Sequence, residues 1–138
     1  MKKQTKSKIK DGPGTKFICD FKDSTGTFID KFAIFSIDRP KIEIIHLPDD
    51  TKITTWLPIE VQIFDPVESN TAKAIYNHRE RNESFDIIVD LIDPKGKITE
   101  KWEIKNANIS SVDLGTLNWY TTAENLVVKI QVTYECAK

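Results

Sequence analysis

Side chains able to do chemistry are thinly spread in this 138-residue sequence. The two histidines, His46 and His78, fall in different predicted elements and have no second ligand at metal-binding spacing. A surface or stripe histidine is favoured over a general base or a metal ligand. Asp49-Asp50 forms an acidic turn that could touch a cation, although an ordinary solvated loop accounts for it. Cys19 and Cys136 stand near opposite ends without a CxxC or Cys/His pattern, so two reduced, half-buried thiols are favoured over a disulfide. No Gly-rich loop precedes a helix, which leaves a phosphate cradle unsupported. No nucleophile with its base and no carboxylate pair stands out. The expectation is no catalytic, cofactor-binding or metal-ligating residue, with an enzyme the least favoured class.

The tryptophans carry the main rival reading. Trp56, Trp102 and Trp119 on a small β-protein could stack on sugar rings, as carbohydrate-binding modules do. Trp102, however, alternates in phase with Ile98 and Ile104, which predicts a core-facing side chain. Trp119 closes a turn-rich stretch, Asn106 to Gly115, where an aromatic would pin a corner with Leu117. The triplets Asn82-Glu83-Ser84 and Asn108-Ile109-Ser110 fit the glycosylation pattern, which arises often by chance.

Composition narrows the field further. The length suits one domain able to bury a core without staples. At 39% hydrophobic and 30% charged, with no apolar run near the roughly 18 residues of a membrane span, no membrane partner is expected. The opening MKKQTKSKIKDGPG has no apolar stretch behind its lysines and does not read as a secretory leader. Lys2, Lys3, Lys6, Lys8 and Lys10 are unopposed in the first ten residues. Removing these five from the 20 basic residues leaves 15 against 21 acidic ones, net -6 for the rest of the chain. Residues 1–15 therefore read as a disordered basic arm, and 16–138 as one acidic domain without the Arg-rich stripe of a nucleic-acid binder.

The elements that would position these residues are mostly extended. KFICDFK (16–22) sets Phe17, Cys19 and Phe21 on one face, and DSTG turns it into TFIDKFAIFSI (27–37), a predicted hairpin. KIEIIHL (41–47) is a further strand, approached through Arg39-Pro40. KITTWLPIEVQIF (52–64) reads as the longest strand, with Leu57, Ile59, Val61 and Ile63 on one face and Trp56, Pro58, Glu60 and Gln62 on the other. One helix is expected over about 66–81, with Asp65 as N-cap, Pro66 at the first position, Glu68 completing a capping box and Arg79 and Arg81 at the C-terminal end. Its stripe is Val67, Thr71, Ala74, Ile75 and His78. SFDIIVDLI (84–92) and KITEKWEIKNANI (97–109) flank the hairpin turn Asp93-Pro94-Lys95-Gly96. NLVVKIQVTYE (125–135) points Val128, Ile130, Val132 and Tyr134 inward and Lys129, Gln131 and Thr133 outward. The sum is a mainly β protein: an antiparallel sandwich or barrel of about seven strands with one flanking helix.

In order and spacing, TTWLPIEVQIFDP, KWEIKNANISSVDLGTLNW and LVVKIQVTYE, preceded by SIDRPKIEI (36–44), resemble the tail tube proteins of contractile-tailed bacteriophages. These are relatives in fold of the haemolysin-coregulated proteins of type VI secretion. The resemblance covers residues 41–135. The arm before Lys16 has no counterpart in it, and IIHLPDDTK (44–52) is shorter than the family's long loop.

The resemblance implies a structural virion protein whose copies form hexameric rings, stacked into the channel for viral DNA. A closed ring would hide sheet edges that this chain, with Pro40, Pro58 and scattered lysines, does little to blunt. Its acidic body would let DNA slide past without sticking. The implied partners are further copies of the chain, tail sheath and baseplate proteins, and DNA in the lumen without specific binding. The implied location is the virion tail, assembled in the host bacterial cytoplasm. Ring-to-ring contact is assigned to Ile45, His46, Leu47, Pro48, Asp49 and Asp50, and lumen or subunit contact to Glu60, Gln62, Lys129, Gln131 and Thr133. A baseplate tube initiator, a tail terminator or the tube of a phage-derived injection system stand as alternatives within the class, and a carbohydrate-binding module outside it.

Overall fold

The computed structural model describes residues 16–65, 70–117, 119 and 126–138; the arm expected over 1–15 lies outside them. Alternating apolar residues build β1 (Lys16–Asp23), β2 (Gly26–Ile29), β3 (Ile34–Ile37), β6 (Ile59–Phe64), β7 (Phe85–Ile92), β8 (Ile98–Asp113) and β9 (Val127–Thr133). These seven pair in the order β2-β1-β7-β8-β9-β6-β3, and a short β10 (Cys136–Ala137) adds to β8. Every pairing is antiparallel. The two end strands, β2 and β3, are successive in the chain, joined only by Asp30 to Ala33. Five Cα steps hold their facing ends within about 18 Å, so the sheet is rolled into a nearly closed barrel.

Inside it lie Cys19 and Phe21 of β1, Ile59, Val61 and Ile63 of β6, and Val128, Ile130 and Val132 of β9, all buried as the alternation predicts. The helix α1 (Thr71–Arg81) buries Ile75 and His78 against the β2 side. It is shorter than the 66–81 expected from sequence. Asn70 occupies the N-cap, while Asp65 helps from farther back, its Oδ1 accepting from Ala72 N at 3.3 Å. Pro66, Val67 and Glu68 lie outside the described residues. At the other end Asn82 adopts the left-handed conformation, φ 55°, and its N–H donates to the Arg79 carbonyl, the usual way to stop a helix.

Three elements differ from the sequence reading. The run 27–37 is two strands, because the Asp30 side chain accepts from Phe32 N at 2.9 Å and caps a 3-10 turn over Lys31–Ala33. Only β2 pairs with β1; β3 crosses to β6. The run 52–64 breaks at Pro58, which has no N–H for a ladder: β5 (Lys52–Leu57) leaves to pair with β4 (Lys41–His46), and β6 enters the barrel. The strand read over 97–109 runs on to Asp113, through most of the stretch Asn106 to Gly115 read as turn-rich. β8 runs 16 residues, pairing with β7 through Ala107 and with β9 from Asn108. Its polar Asn and Ser residues sit on the exposed side while Ala107 and Ile109 are buried. The corner is made by one residue, Asn106, at φ 50°. Its N–H donates to Asp86 Oδ1 (3.1 Å) and its Nδ2 to Glu135 Oε1 (2.7 Å). The hairpin turns at Asp23–Gly26 and Asp93–Gly96 form as expected, with φ of 110° at Gly26 and 87° at Gly96.

Candidate assembly surfaces

Strands β4 and β5 form a two-stranded sheet of their own, with continuous register from Lys41↔Leu57 to His46↔Lys52. The turn is closed by Leu47 N–H to the Thr51 carbonyl (2.8 Å) and by Thr51 N–H to Asp49 Oδ1 (3.1 Å). The bonds from Thr51 hold the Asp49 carboxyl below its ordinary value. Residues 45 to 50, assigned from sequence to ring stacking, are thus the last two residues of β4 and the tip of this hairpin. At its base, Tyr134 Oη accepts from Lys41 N (3.1 Å) and donates to the Lys41 carbonyl (3.3 Å), and the Trp56 ring lies 5.8 Å from that of Tyr134. Beyond the base, Ile42, Ile44, Ile45, Leu47 and Ile53 are exposed. A lone two-stranded hairpin is marginal in water, and this one leaves five large aliphatic side chains exposed.

The second surface is the outer face of β3, β6, β9 and the C-terminal half of β8. Register aligns Ser36, Gln62, Lys129 and Asp113 in one row across four strands, and Glu60, Gln131 and Ser111 in the next. Thr133 opposite Asn108 begins a third. All five residues assigned from sequence to lumen or subunit contact therefore meet on one polar apron, with Lys129, Gln131 and Thr133 exposed and Glu60 and Gln62 half-buried. Gln62 Nε2 donates to Glu60 Oε2 at 3.0 Å. At the end of the apron Phe35 and Phe64 stack at 4.3 Å, both exposed.

By sequence the chain matches no protein-family model and no curated protein. By structure it superposes on an Hcp protein with TM-score 0.62 at 10% identity, over 90% of this chain and 89% of that one. A chain of the anti-feeding prophage baseplate gives 0.60 at 9% identity, over 91% and 92%. A chain of the sheath–tube complex of the extracellular contractile injection system PVC gives 0.54 at 12%, over 99% and 97%. The chain has an Hcp-like fold. At these identities the likeness is one of fold.

Within the tube-protein fold, the joint between helix and barrel is a polar clasp that sequence reasoning missed. His78, 1% exposed, stacks flat on Phe28 (3.9 Å, 4°) and meets Phe85 edge-on. Its Nε2 lies 3.3 Å from Asp23 Oδ2, which also receives Arg81 Nη2 at 3.1 Å. Asp23 Oδ1 accepts from the N–H and hydroxyl of Thr25, and Glu83 accepts from Ser24 N at 2.7 Å. Burial holds His78 below its ordinary value despite the nearby carboxylate of Asp23. Burial pulls Asp23 upward, but the Thr25 hydrogen bonds with the His78 and Arg81 charges outweigh it and leave the carboxyl low. The sequence signals were an Asp-Ser-Thr-Gly turn and His78 on the helix stripe; their pairing across 55 positions is tertiary.

The remaining candidates separate. Cys19 is buried and its thiol is pushed up to about 12, chiefly by that burial, while Cys136 is half-buried; both are free. The tryptophans lie on three separate segments. Trp102 is half-buried, its Nε1 donating to Glu100 Oε2 at 2.6 Å, and Ile98, predicted in phase with it, is exposed because the β7–β8 ladder shifts register between Leu91 and Ile92. Trp119 is 100% exposed and Leu117 nearly so, so they pin no corner among the described residues. Between the barrel and the hairpin base lies a groove of about 390 Å³, lined by the apolar Phe17, Phe35, Ile37, Pro40, Val89, Leu91 and Trp102 and the polar Ser36, Asp38 and Arg39. Arg39 Nε pairs there with Glu100 at 3.1 Å.

Proposed function

We propose that the protein is a tail tube subunit: copies join into hexameric rings, and the rings stack into the channel through which a contractile-tailed phage delivers its DNA. The observation that carries this reading is the β4–β5 hairpin, whose exposed isoleucines find no interior among the described residues. The tube-protein fold supplies the context. A contact between unlike surfaces closes into a ring when its rotation closes, and a second such contact along the axis stacks the rings. The hairpin tip, Ile45 to Asp50, and the lysine-rich first ten residues serve the stacking contact.

The apron of Glu60, Gln62, Lys129, Gln131 and Thr133 serves the lumen or the contact between neighbours in a ring. Its charged members, Glu60, Asp113 and Lys129, sum to -1, which offers DNA phosphates little to hold. The role is structural rather than enzymatic, and residues 16–138 act as one tube unit. The remaining partners are sheath and baseplate proteins, and the place of action is the virion tail after assembly in the bacterial cytoplasm. The likeness to a baseplate chain favours, as a second reading, a tube initiator at the baseplate or the tube of a phage-derived injection machine; a terminator has the same architecture. Sedimentation of the purified chain at rising concentration, with and without baseplate nuclei, tests the proposal. Six-copy rings and longer stacks are expected, and a monomer under all conditions would refute it.

A further inference from the structure

We propose that residues 6–10 of the lysine-rich arm add as a further strand to the open edge of β1 in the same copy, antiparallel to residues 16–20, with Ile9 seated over Phe17 at the groove. The inference goes beyond the tube reading and stands without it, because it concerns a single copy.

Register shows where the edge is open. β1 pairs with β7 from Lys16 to Lys22, but with β2 only from Phe21 onwards. On the β2 side, residues 16–20 therefore meet no described strand. Across the seam, β3 pairs only with β6 among the described strands. The 3-10 turn over Lys31–Ala33 packs on β1 and bridges the seam at one end. The groove lies at this seam: Phe17 lines it from β1, Ser36 and Ile37 from β3, and Leu91, in register with Phe17, from β7. Backbone N–H and C=O groups on such an edge point away from β7 and template a further strand. Five residues of edge match the usual length of a strand.

The arm is tethered to this edge. Residues 1–15, which lie outside the described residues, lead directly into Lys16, next to Phe17. Asp11-Gly12-Pro13-Gly14 has turn chemistry, Pro-Gly above all, and can return the chain along β1. A connection over residues 11–15 has a length common in hairpins. It sets Ile9 opposite Phe17, Ser7 opposite Cys19 and Lys6 opposite Asp20. By period two, Ile9 and Ser7 then face the groove side, and Lys6, Lys8 and Lys10 face water. The opposite parity would turn the three lysines inward, at the cost of desolvating their charges. The one like-charged pair, Lys10 with Lys16, falls at the loop end, where water and salt screen it.

Charge favours the same placement. Residues 1–15 hold five lysines and one aspartate, net +4. The outer face beside the edge carries Asp20, and Asp90 in the row of Ile18. Asp90 Oδ1 is buried and accepts no hydrogen bond among the described residues, with Lys101 Nζ 3.9 Å away. Lys6 meets Asp20 directly, and Lys8 joins the row of Ile18 and Asp90. Alone, ten residues with one isoleucine bury too little to fold; the β1 edge supplies the ladder they lack. Residues 1–4, with Lys2 and Lys3, extend past the strand and stay available for contact between rings.

Hydrogen–deuterium exchange of the full chain, read by mass spectrometry across a dilution series, tests the docking. Residues 6–10 are expected to exchange at least about tenfold more slowly than a free peptide of the same sequence, at every dilution. Ile9→Pro removes an N–H and clashes with the ladder. It should return residues 6–10 to peptide-like exchange and speed exchange in residues 16–20, while β6 and β9 keep their protection. Peptide-like exchange of residues 6–10 in the parent chain would overturn the proposal, as would unchanged protection of residues 16–20 in Ile9→Pro. Protection that vanishes on dilution would place another copy's arm on the edge and overturn docking within one copy. A chain that shows the expected protection and never forms rings would refute the tube reading alone.

Discussion

The barrel and the β4–β5 hairpin are made of the same kinds of residue and put them to opposite use. In β6 and β9 every second residue, Ile59 to Ile63 and Val128 to Val132, is buried. In β4 and β5 isoleucines recur at similar density, yet none is buried, and the sheet touches the body mainly through Trp56 and Lys41 at Tyr134. The barrel is stabilised by its own interior. The hairpin's large aliphatic side chains stay exposed among the described residues. Hydrophobic content alone therefore says little about a strand's role; where its partner lies decides it.

That contrast makes graded predictions about folding stability. The largest effect is expected in the barrel: Phe21→Ala removes a fully buried ring stacked on Phe85 and edge-on to Phe28. It should cost about 3–5 kcal/mol in chemical denaturation. Next comes Gly115, at φ +90°, where an added Cβ would lie 3.0 Å from the Val127 carbonyl oxygen. Gly115→Ala should cost about 1–3 kcal/mol, measured in the same way.

The clasp follows, and its signature is pH. Burial lowers His78 from its ordinary 6.5, so the folded state prefers the neutral ring. Its contribution is complete above pH 6.5 and is lost as the pH falls below that value towards the folded-state value, with a slope of at most about 1.4 kcal/mol per pH unit. Asp23, lowered from 3.8, adds a second loss only below pH 3.8. His78→Phe keeps the stack on Phe28, so it should stay within about 1.5 kcal/mol of the parent at pH 7.5 and flatten the first acid step, seen in denaturation midpoints between pH 7.5 and 5. Smallest is the hairpin: Ile45→Ala should move the stability of the isolated chain by no more than about 0.5 kcal/mol. A loss of several kcal/mol there would erase the distinction between the two regions.

How far the fold could be read from sequence depends on the range of the forces involved. Period-two alternation marked the buried faces of β1, β6 and β9, and Asp93-Pro94-Lys95-Gly96 marked its turn, because both are local. The apron was legible for the same reason: Glu60, Gln62, Lys129, Gln131 and Thr133 are the outward halves of two alternating runs, and register did the rest. Boundaries set by a single residue were not legible. Asp30 splitting one run into β2 and β3, Pro58 dividing hairpin from barrel, and Asn106 bending β8 each required knowing the partner strand. The Asn- and Ser-rich stretch 106–113 resembled a turn because small polar residues suit both turns and the wet side of a strand. Trp119 was assigned to a corner on the assumption that an aromatic residue buries itself within its own chain. The clasp of His78 and Asp23 and the groove under Arg39 join residues far apart in sequence, and no local pattern announces them.

The central claim is that this fold exists to be repeated around an axis. Class-averaged electron micrographs of the assembled, full-length chain test it most directly, by counting copies in end-on views. The account predicts hollow rings of six copies that stack into rods. Solid or open aggregates, or single copies at every concentration even with baseplate nuclei present, would contradict it.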